Sequence, residues 1–281
     1  MLRSLPVPTL DHVVVNVRDR LDEGAEIYRR LGFTLTPRGY HTLGSMNHLA
    51  IFGSDYLELI AAPPADARRQ EIRAAPEGLN GLVWATEDAE RTFHTLRDAG
   101  VPVEPPQQFS RPVSLADATR DATFRTVRLA SDTTPAGRLY FCHHLTPELV
   151  WRDEWRHHPN STLGVVRAVI AAHDPSLLGT LFRRMFGDDA IRPLSDGYRL
   201  LVGLSHFDVI TPEALQRSLG DAAPDGHGRR EFMAALTLRA ASLRKAADVL
   251  ERGGIAGMRC EGEKLVVPAS SAFGTVLEFR E

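Results

Sequence analysis

One arrangement of apolar runs, helix caps and glycines recurs four times along the chain, and it limits what the chain can fold into. Each copy opens with an apolar strand, enters a helix introduced by an acidic or hydroxyl residue, stops at glycine and adds further strands. The first copy reads LDHVVVNV, then LDEGAEIYRRLG with Asp19 as cap and Gly32 as stop, then strands near 33–37, 47–52 and 56–61. The second starts at 79–86, passes through DAERTFHTLRDAG to Gly100, and continues with strands near 101–104, 124–129 and 138–142. The third starts at 165–171, with helix DPSLLGTLFRRMFG and strands near 191–193, 198–203 and 207–210; the fourth runs from 234–239 through SLRKAADVLERGG to VLEFRE. Helices begin near Leu21, Asp88, Asp174 and Ser242, a spacing of about 67 residues inside each half. The pattern predicts an α+β fold of four βαβββ modules paired into two domains, residues 1–145 and 163–281, with a linker at 146–162.

Composition excludes several classes. With 43% hydrophobic and 25% charged residues the chain reads as globular. Its net charge of −3 comes without a basic stripe, which argues against a nucleic-acid partner. Pairs such as Arg68-Arg69 and Arg229-Arg230 read as solvated surface. No apolar run approaches the roughly 20 residues of a membrane span, and the start MLRSLPVPTLDH lacks a signal-peptide core. Two cysteines, Cys142 and Cys260, cannot build a disulfide framework. A cytoplasmic protein with no membrane partner is expected.

Paired βαβββ modules opening on LDHVVVNV and closing on YLELI resemble the vicinal-oxygen-chelate superfamily. The segments GSMNHLAIFGSDYLELI, FCHHLTPELVW and AFGTVLEF resemble, more narrowly, its glyoxalase-like domain proteins. The resemblance covers nearly the whole chain. It implies two glyoxalase/dioxygenase-like domains, a small-molecule substrate, and a divalent metal ion (Fe, Mn, Zn or Ni) held from the first and last strands of a module. Carried over residue by residue, those positions are His12 and Glu58 in the first module, Gly81 and Tyr140 in the second, Arg167 and Asp208 in the third, and Met233 and Glu278 in the fourth. Only the first module offers a histidine with a carboxylate, a departure from the four-ligand pattern. The superfamily holds lyases, isomerases, ring-cleaving dioxygenases and resistance proteins, so the fold does not choose the reaction.

Strand alternation supports a site in the first module. Val13, Val15 and Val17 suit the helix side, so His12, Val14 and Asn16 face the other way, as do Tyr56, Glu58 and Ile60. Setting Leu49 and Ile51 beside Leu59 and Leu57 requires a three-residue turn, Gly53-Ser54-Asp55, which puts His48 on the site face; a two-residue Gly-Ser turn would instead put it under the helix, needing a buried partner. The preferred register makes His12, His48 and Glu58 a two-imidazole, one-carboxylate metal set. The plainer alternative is that His12 hydrogen-bonds Glu58. Glu58 and His144 are the candidate catalytic groups, and Phe52, Tyr56 and Tyr140 border the substrate pocket. His144 reads alternatively as part of an ordered linker in which Pro147 turns the chain and Trp151 packs between the halves; His157 and His158 read as surface turn residues. Cys142 reads as a small core residue, and Gly203-Leu204-Ser205-His206-Phe207 lacks the closing glycine of a serine nucleophile turn.

The second half reads as structural, with Arg167 and Asp208 forming an ion pair in place of a site, or as a dimerisation surface. Two functions follow: a metal-dependent enzyme acting on a small oxygen-bearing organic substrate, or a small-molecule binding protein of the same fold without catalysis.

Overall fold

The computed structural model describes residues 4–63, 67–115 and 117–281. Eight strands of the first half are β1 (Leu10–Asn16), β2 (Gly39–Tyr40), β3 (Met46–Ile51), β4 (Tyr56–Ala61), β5 (Gly78–Ala85), β6 (Gln107–Ser114), β7 (Thr119–Arg128) and β8 (Arg138–His144). Eight of the second half are β9 (Thr162–Ala172), β10 (Ile191–Leu194), β11 (Gly197–Val202), β12 (Ser205–Ile210), β13 (Glu231–Ala240), β14 (Arg259–Glu261), β15 (Lys264–Val267) and β16 (Val276–Arg280). The helices are α1 (Leu21–Arg30), α2 (Gln70–Ala74), α3 (Ala89–Asp98), α4 (Pro175–Phe186), α5 (Pro212–Leu219) and α6 (Leu243–Arg252).

Each half forms one sheet with the same plan, β2-β3-β4-β1-β5-β8-β7-β6 and β10-β11-β12-β9-β13-β16-β15-β14. The opening strands of two modules pair antiparallel at the centre, and each is flanked by the parallel closing strand of its own module. Three of the four predicted caps are present: Asp88, Asp174 and Ser242 accept from the backbone N–H groups of Arg91, Ser176 and Lys245. Asp19 is not a cap, because α1 starts one residue later, after Arg20, without a side-chain cap. The segment 101–104 makes only an isolated bridge from Val103 to Leu129, and the edge strand it was expected to form lies at β6.

The helix sides of both sheets join in one apolar core containing Val13, Leu57, Trp84, Ile170, Phe207 and Phe279. Trp84 sits where the halves meet, with Phe141 of its own sheet at 5.0 Å and Phe186 of the other half at 5.3 Å. His158, expected on the surface, is buried: its Nδ1 accepts from Thr34 N at 3.0 Å and its Nε2 donates to Ile51 O at 2.8 Å. Both ring nitrogens are used, which ties the chain between the sheets to the first half.

The β3–β4 turn touches the second half through Asp55, whose carboxylate accepts from Val165 N at 2.9 Å. Burial drives the Asp55 pKa up to about 7 against the opposing pull of that N–H and of Arg239. A carboxyl raised in the folded state binds its proton more tightly there than in the unfolded chain, so the contribution of Asp55 to stability is fully present below about pH 4 and is lost as pH rises through about 7. Asp55→Asn keeps an oxygen for Val165 and is expected to flatten that slope, stabilising the protein at pH 8 by up to about 4 kcal/mol. Denaturant melts of both proteins at pH 5 and pH 8 check this; parallel losses in the two would exclude Asp55 as the source.

Candidate active site

The face of the first sheet turned away from the helices curls around a hollow. Its two edges meet where Thr42 N donates to Ser110 O at 2.9 Å and Ser110 N to Thr42 Oγ1 at 3.2 Å. Residues from β1, β3, β4, β6, β7 and β8 therefore line one space, of about 40 Å³. By the room a water needs, that suits a few waters or a compact ligand group.

His12, Glu58, Tyr56 and Tyr140 all line this hollow. His12 Nε2 lies 3.0 Å from the Tyr140 hydroxyl and 3.8 Å from Glu58 Oε2. Tyr56, level with His12 in the parallel pairing of β1 and β4, stacks on the imidazole with ring centres 4.4 Å apart. On the far side of the ring, His12 Nδ1 lies 2.5 Å from Asp11 Oδ1. The same oxygen lies 3.1 Å from His144 Nε2, so Asp11 bridges two imidazoles. Burial opposes ionisation of Asp11, but His144 and the hydrogen bonds from both histidines prevail and hold its pKa at about 2. Burial likewise opposes ionisation of Glu58, and His41, His12 and the Asn47 amide together keep it below the usual carboxylate range. Asn47 Nδ2 donates to Glu58 Oε1 at 2.7 Å, leaving Oε2 toward His12. Burial raises the Tyr140 phenol, which thus keeps its proton and donates it to Nε2.

Strict alternation along β1 would turn Asp11 to the helix side. A register shift between Leu10 and His12, where β1 passes two residues against one step of β5, breaks the alternation. That bulge lets Asp11 stand behind His12, and nothing in the residue types marks it.

His48 is not in the site. β3 and β4 pair with Leu49 opposite Glu58 and His48 opposite Leu59, through the two-residue Gly53-Ser54 turn closed by Phe52 N donating to Asp55 O at 2.9 Å. His48 consequently lies under the helix layer, where its Nδ1 bonds Thr36 O at 2.7 Å. Phe52 moves with it, away from the pocket and into the core beside His158, ring centres 5.1 Å apart. The apolar matching that favoured the other register could not discriminate, since both faces of this sheet are buried: Leu49 and Ile51 pack equally well with Tyr56 and Ile60 on the hollow side.

His144 does not line the hollow. It stands behind Asp11 and borders a larger cleft of about 680 Å³ between the halves, together with Trp151, Val165 and Arg239. Asp11, Cys142 and His144 place donor atoms within 4.8 Å of one another. Asp11 is already shared by two imidazoles, and burial holds the Cys142 thiol well above its ordinary pKa.

Gly81, opposite Val14, has no room for a ligand side chain: a Cβ there would meet Val14 at 2.8 Å. In the second half, Arg167 Nε and Arg199 Nε grip Asp208 at 2.7 and 2.6 Å, and Lys264 Nζ holds Glu278 at 2.5 Å. The expected Arg167–Asp208 pair is thus one part of a larger salt-bridged filling. The fourth-module position matching His12 is Ala235, two before the Thr237–Glu278 pair, rather than Met233, which a shift in β13 turns into the helix-side core.

Four arginines line the hollow and were not foreseen: Arg69, Arg111, Arg128 and Arg138. Arg69, read as solvated, is buried and bonds Ser45 Oγ at 2.9 Å. The available signal for Arg138 was its place two residues before Tyr140 on the same strand face.

Paired βαβββ modules wrapped around a central hollow define a protein of the glyoxalase/dioxygenase fold. The chain belongs to the glyoxalase-like domain family, whose match spans residues 10–186. A hypothetical protein from Staphylococcus aureus is 12% identical with a TM-score of 0.68, covering 98% of this chain and 99% of that one. A mutant 4-hydroxymandelate synthase from Streptomyces coelicolor is 12% identical with a TM-score of 0.60, covering 98% and 92%. A xylose isomerase-like TIM barrel/4-hydroxyphenylpyruvate dioxygenase fusion protein is 12% identical with a TM-score of 0.58; all of this chain aligns to 50% of that one. A comparison with curated protein sequences gave no match. Among the described residues no helix is long and apolar enough to cross a membrane.

Proposed function

We propose that the protein is a metal-dependent enzyme acting on a small oxygen-bearing organic substrate in the hollow of the first half. The observation that carries this reading is the convergence of His12 Nε2, Glu58 Oε2 and the Tyr140 hydroxyl, with Nε2 3.0 and 3.8 Å from the other two. Two donors 3.8 Å apart can both reach an ion at bonds of about 2 Å. Asp11 behind the imidazole and Asn47 behind the carboxylate are the outer partners that ligands of this kind use. The residues fit a divalent ion held by His12 and Glu58, which would take the Nε2 lone pair from Tyr140 and leave the phenol as the adjacent oxygen.

Such an ion would polarise a substrate oxygen as a Lewis acid. Asp11 fixes the imidazole with its Nδ1–H directed back and Nε2 aimed into the hollow, and the Tyr56 ring holds its plane. Tyr140 keeps a proton beside Nε2 and can pass it to, or donate a hydrogen bond to, an oxygen placed there. With His48 elsewhere, the His12–His48–Glu58 set does not assemble; the second imidazole lining the hollow is His41, beside the Asn47 amide that holds Glu58.

Elemental analysis tests the reading: wild type is expected to carry a stoichiometric divalent transition metal, and Glu58→Ala to lose it. The second reading, binding without catalysis, draws on Gly81, which offers no donor and no space for one. A wild type that takes up none of Fe, Mn, Zn or Ni would decide for it.

A further inference from the structure

The two halves treat charge in opposite ways at equivalent places. In the second half the inward arginines Arg167 and Arg199 spend themselves on Asp208, and Lys264 on Glu278, so the filling neutralises itself. In the first half Arg111, Arg128 and Arg138 come from three neighbouring strands, β6, β7 and β8, and point at one hollow whose lining, among the described residues, carries a single carboxylate, Glu58. No carboxylate among the described residues lies within ion-pair distance of Arg111 or Arg138, and Arg128 instead lies over the Tyr140 ring, 5.8 Å from its centre.

The donors are left without acceptors. Nε and Nη2 of Arg138 and Nε of Arg128 are shut off from solvent and have no hydrogen-bond partner. Arg111 is 5% exposed. Burying guanidinium groups unpaired is unfavourable, and a ligand that supplies the missing negative charge recovers the loss. Guanidinium forks match carboxylate and phosphate oxygens in geometry and in charge. The free space of about 40 Å³ admits a compact group of that kind.

We propose that the substrate seated in this hollow is an anion, a small molecule whose carboxylate or phosphate group is held by Arg111, Arg128 and Arg138 beside His12 and Glu58. The inference rests on the enzymatic reading for the word substrate, but the anion site stands on the arginines alone. It also accounts for the balance of the lining: among the described residues three arginines without carboxylate partners share the hollow with one carboxylate, Glu58, until an anionic ligand enters.

Isothermal titration of the full chain with malonate, inorganic phosphate and the uncharged isostere malonamide tests it, in chelator and again after metal loading. Malonate or phosphate is expected to bind in chelator-treated protein, and malonamide not; whichever anion is tighter names the group. Arg138→Met is expected to weaken that binding at least tenfold while melting no lower than wild type without ligand, because it removes a charge that has no partner. Arg111→Met serves as the second variant, with the same weakening expected. Equal binding of malonamide and malonate, no binding of either anion, or anion affinity unchanged in both variants would overturn the proposal. The two readings fail separately: anion binding without metal uptake sinks only the metal, and metal uptake without anion preference sinks only the anion site.

Discussion

Trp84→Ala is expected to destabilise the protein by about 3–5 kcal/mol, the usual loss for truncating a large buried aromatic side chain, and to lower its melting midpoint by roughly 10 °C. Trp84 is 0% exposed and packs on four phenylalanines. One of them, Phe141, belongs to its own sheet; Phe182, Phe186 and Phe207 belong to the second half, with ring centres 6.1, 5.3 and 6.1 Å away. The truncation therefore opens a cavity in the core shared by both sheets rather than in one of them. The indole N–H has no acceptor, so losing it returns a small part of the stability. Chemical unfolding followed by far-ultraviolet circular dichroism and by tyrosine fluorescence checks the claim. A shift below about 1 kcal/mol would mean that the halves do not lean on Trp84.

Asp11→Ala is expected to weaken divalent-metal binding by about 10–100-fold, the range for removing an outer-shell carboxylate from a ligand histidine. Asp11 is the partner of His12 Nδ1 at 2.5 Å, and without it the imidazole loses both its orientation and its preferred tautomer. Competition titration against a chromophoric chelator gives the affinity directly. The bond from Asp11 to His144 at 3.1 Å supplies the contrast. If Asp11 served only to tie β8 to β1 through His144, the variant would melt lower and hold metal as before.

Much of the fold was legible because its signals are local. Gly32 and Gly100 end helices at positive φ, and Asp88, Asp174 and Ser242 cap the next ones. The candidate site was legible in part. His12, Tyr56, Glu58 and Tyr140 follow from period-2 alternation on strands whose faces could be told apart, and they share one hollow. His48 and Phe52 were misplaced because β3 is apolar on both faces, which leaves a one-residue slip invisible to pattern. Asp11 was missed because a bulge moves it, and the arginines because they come from separate elements, Arg69 from the turn before α2 and Arg111, Arg128 and Arg138 from β6, β7 and β8, so no local pattern marks their convergence.

By itself the sequence determined the four modules, most of their helix ends and the shared strand face of His12, Tyr56 and Glu58, since caps, glycine stops and alternation act over a few neighbouring residues. Only the tertiary structure decided the β3–β4 register, the place of Asp11 between two imidazoles, and the gathering of three arginines around one hollow. Those depend on hydrogen bonds and sheet curvature between segments up to 133 residues apart, such as Asp11 and His144, and no local propensity carries that information.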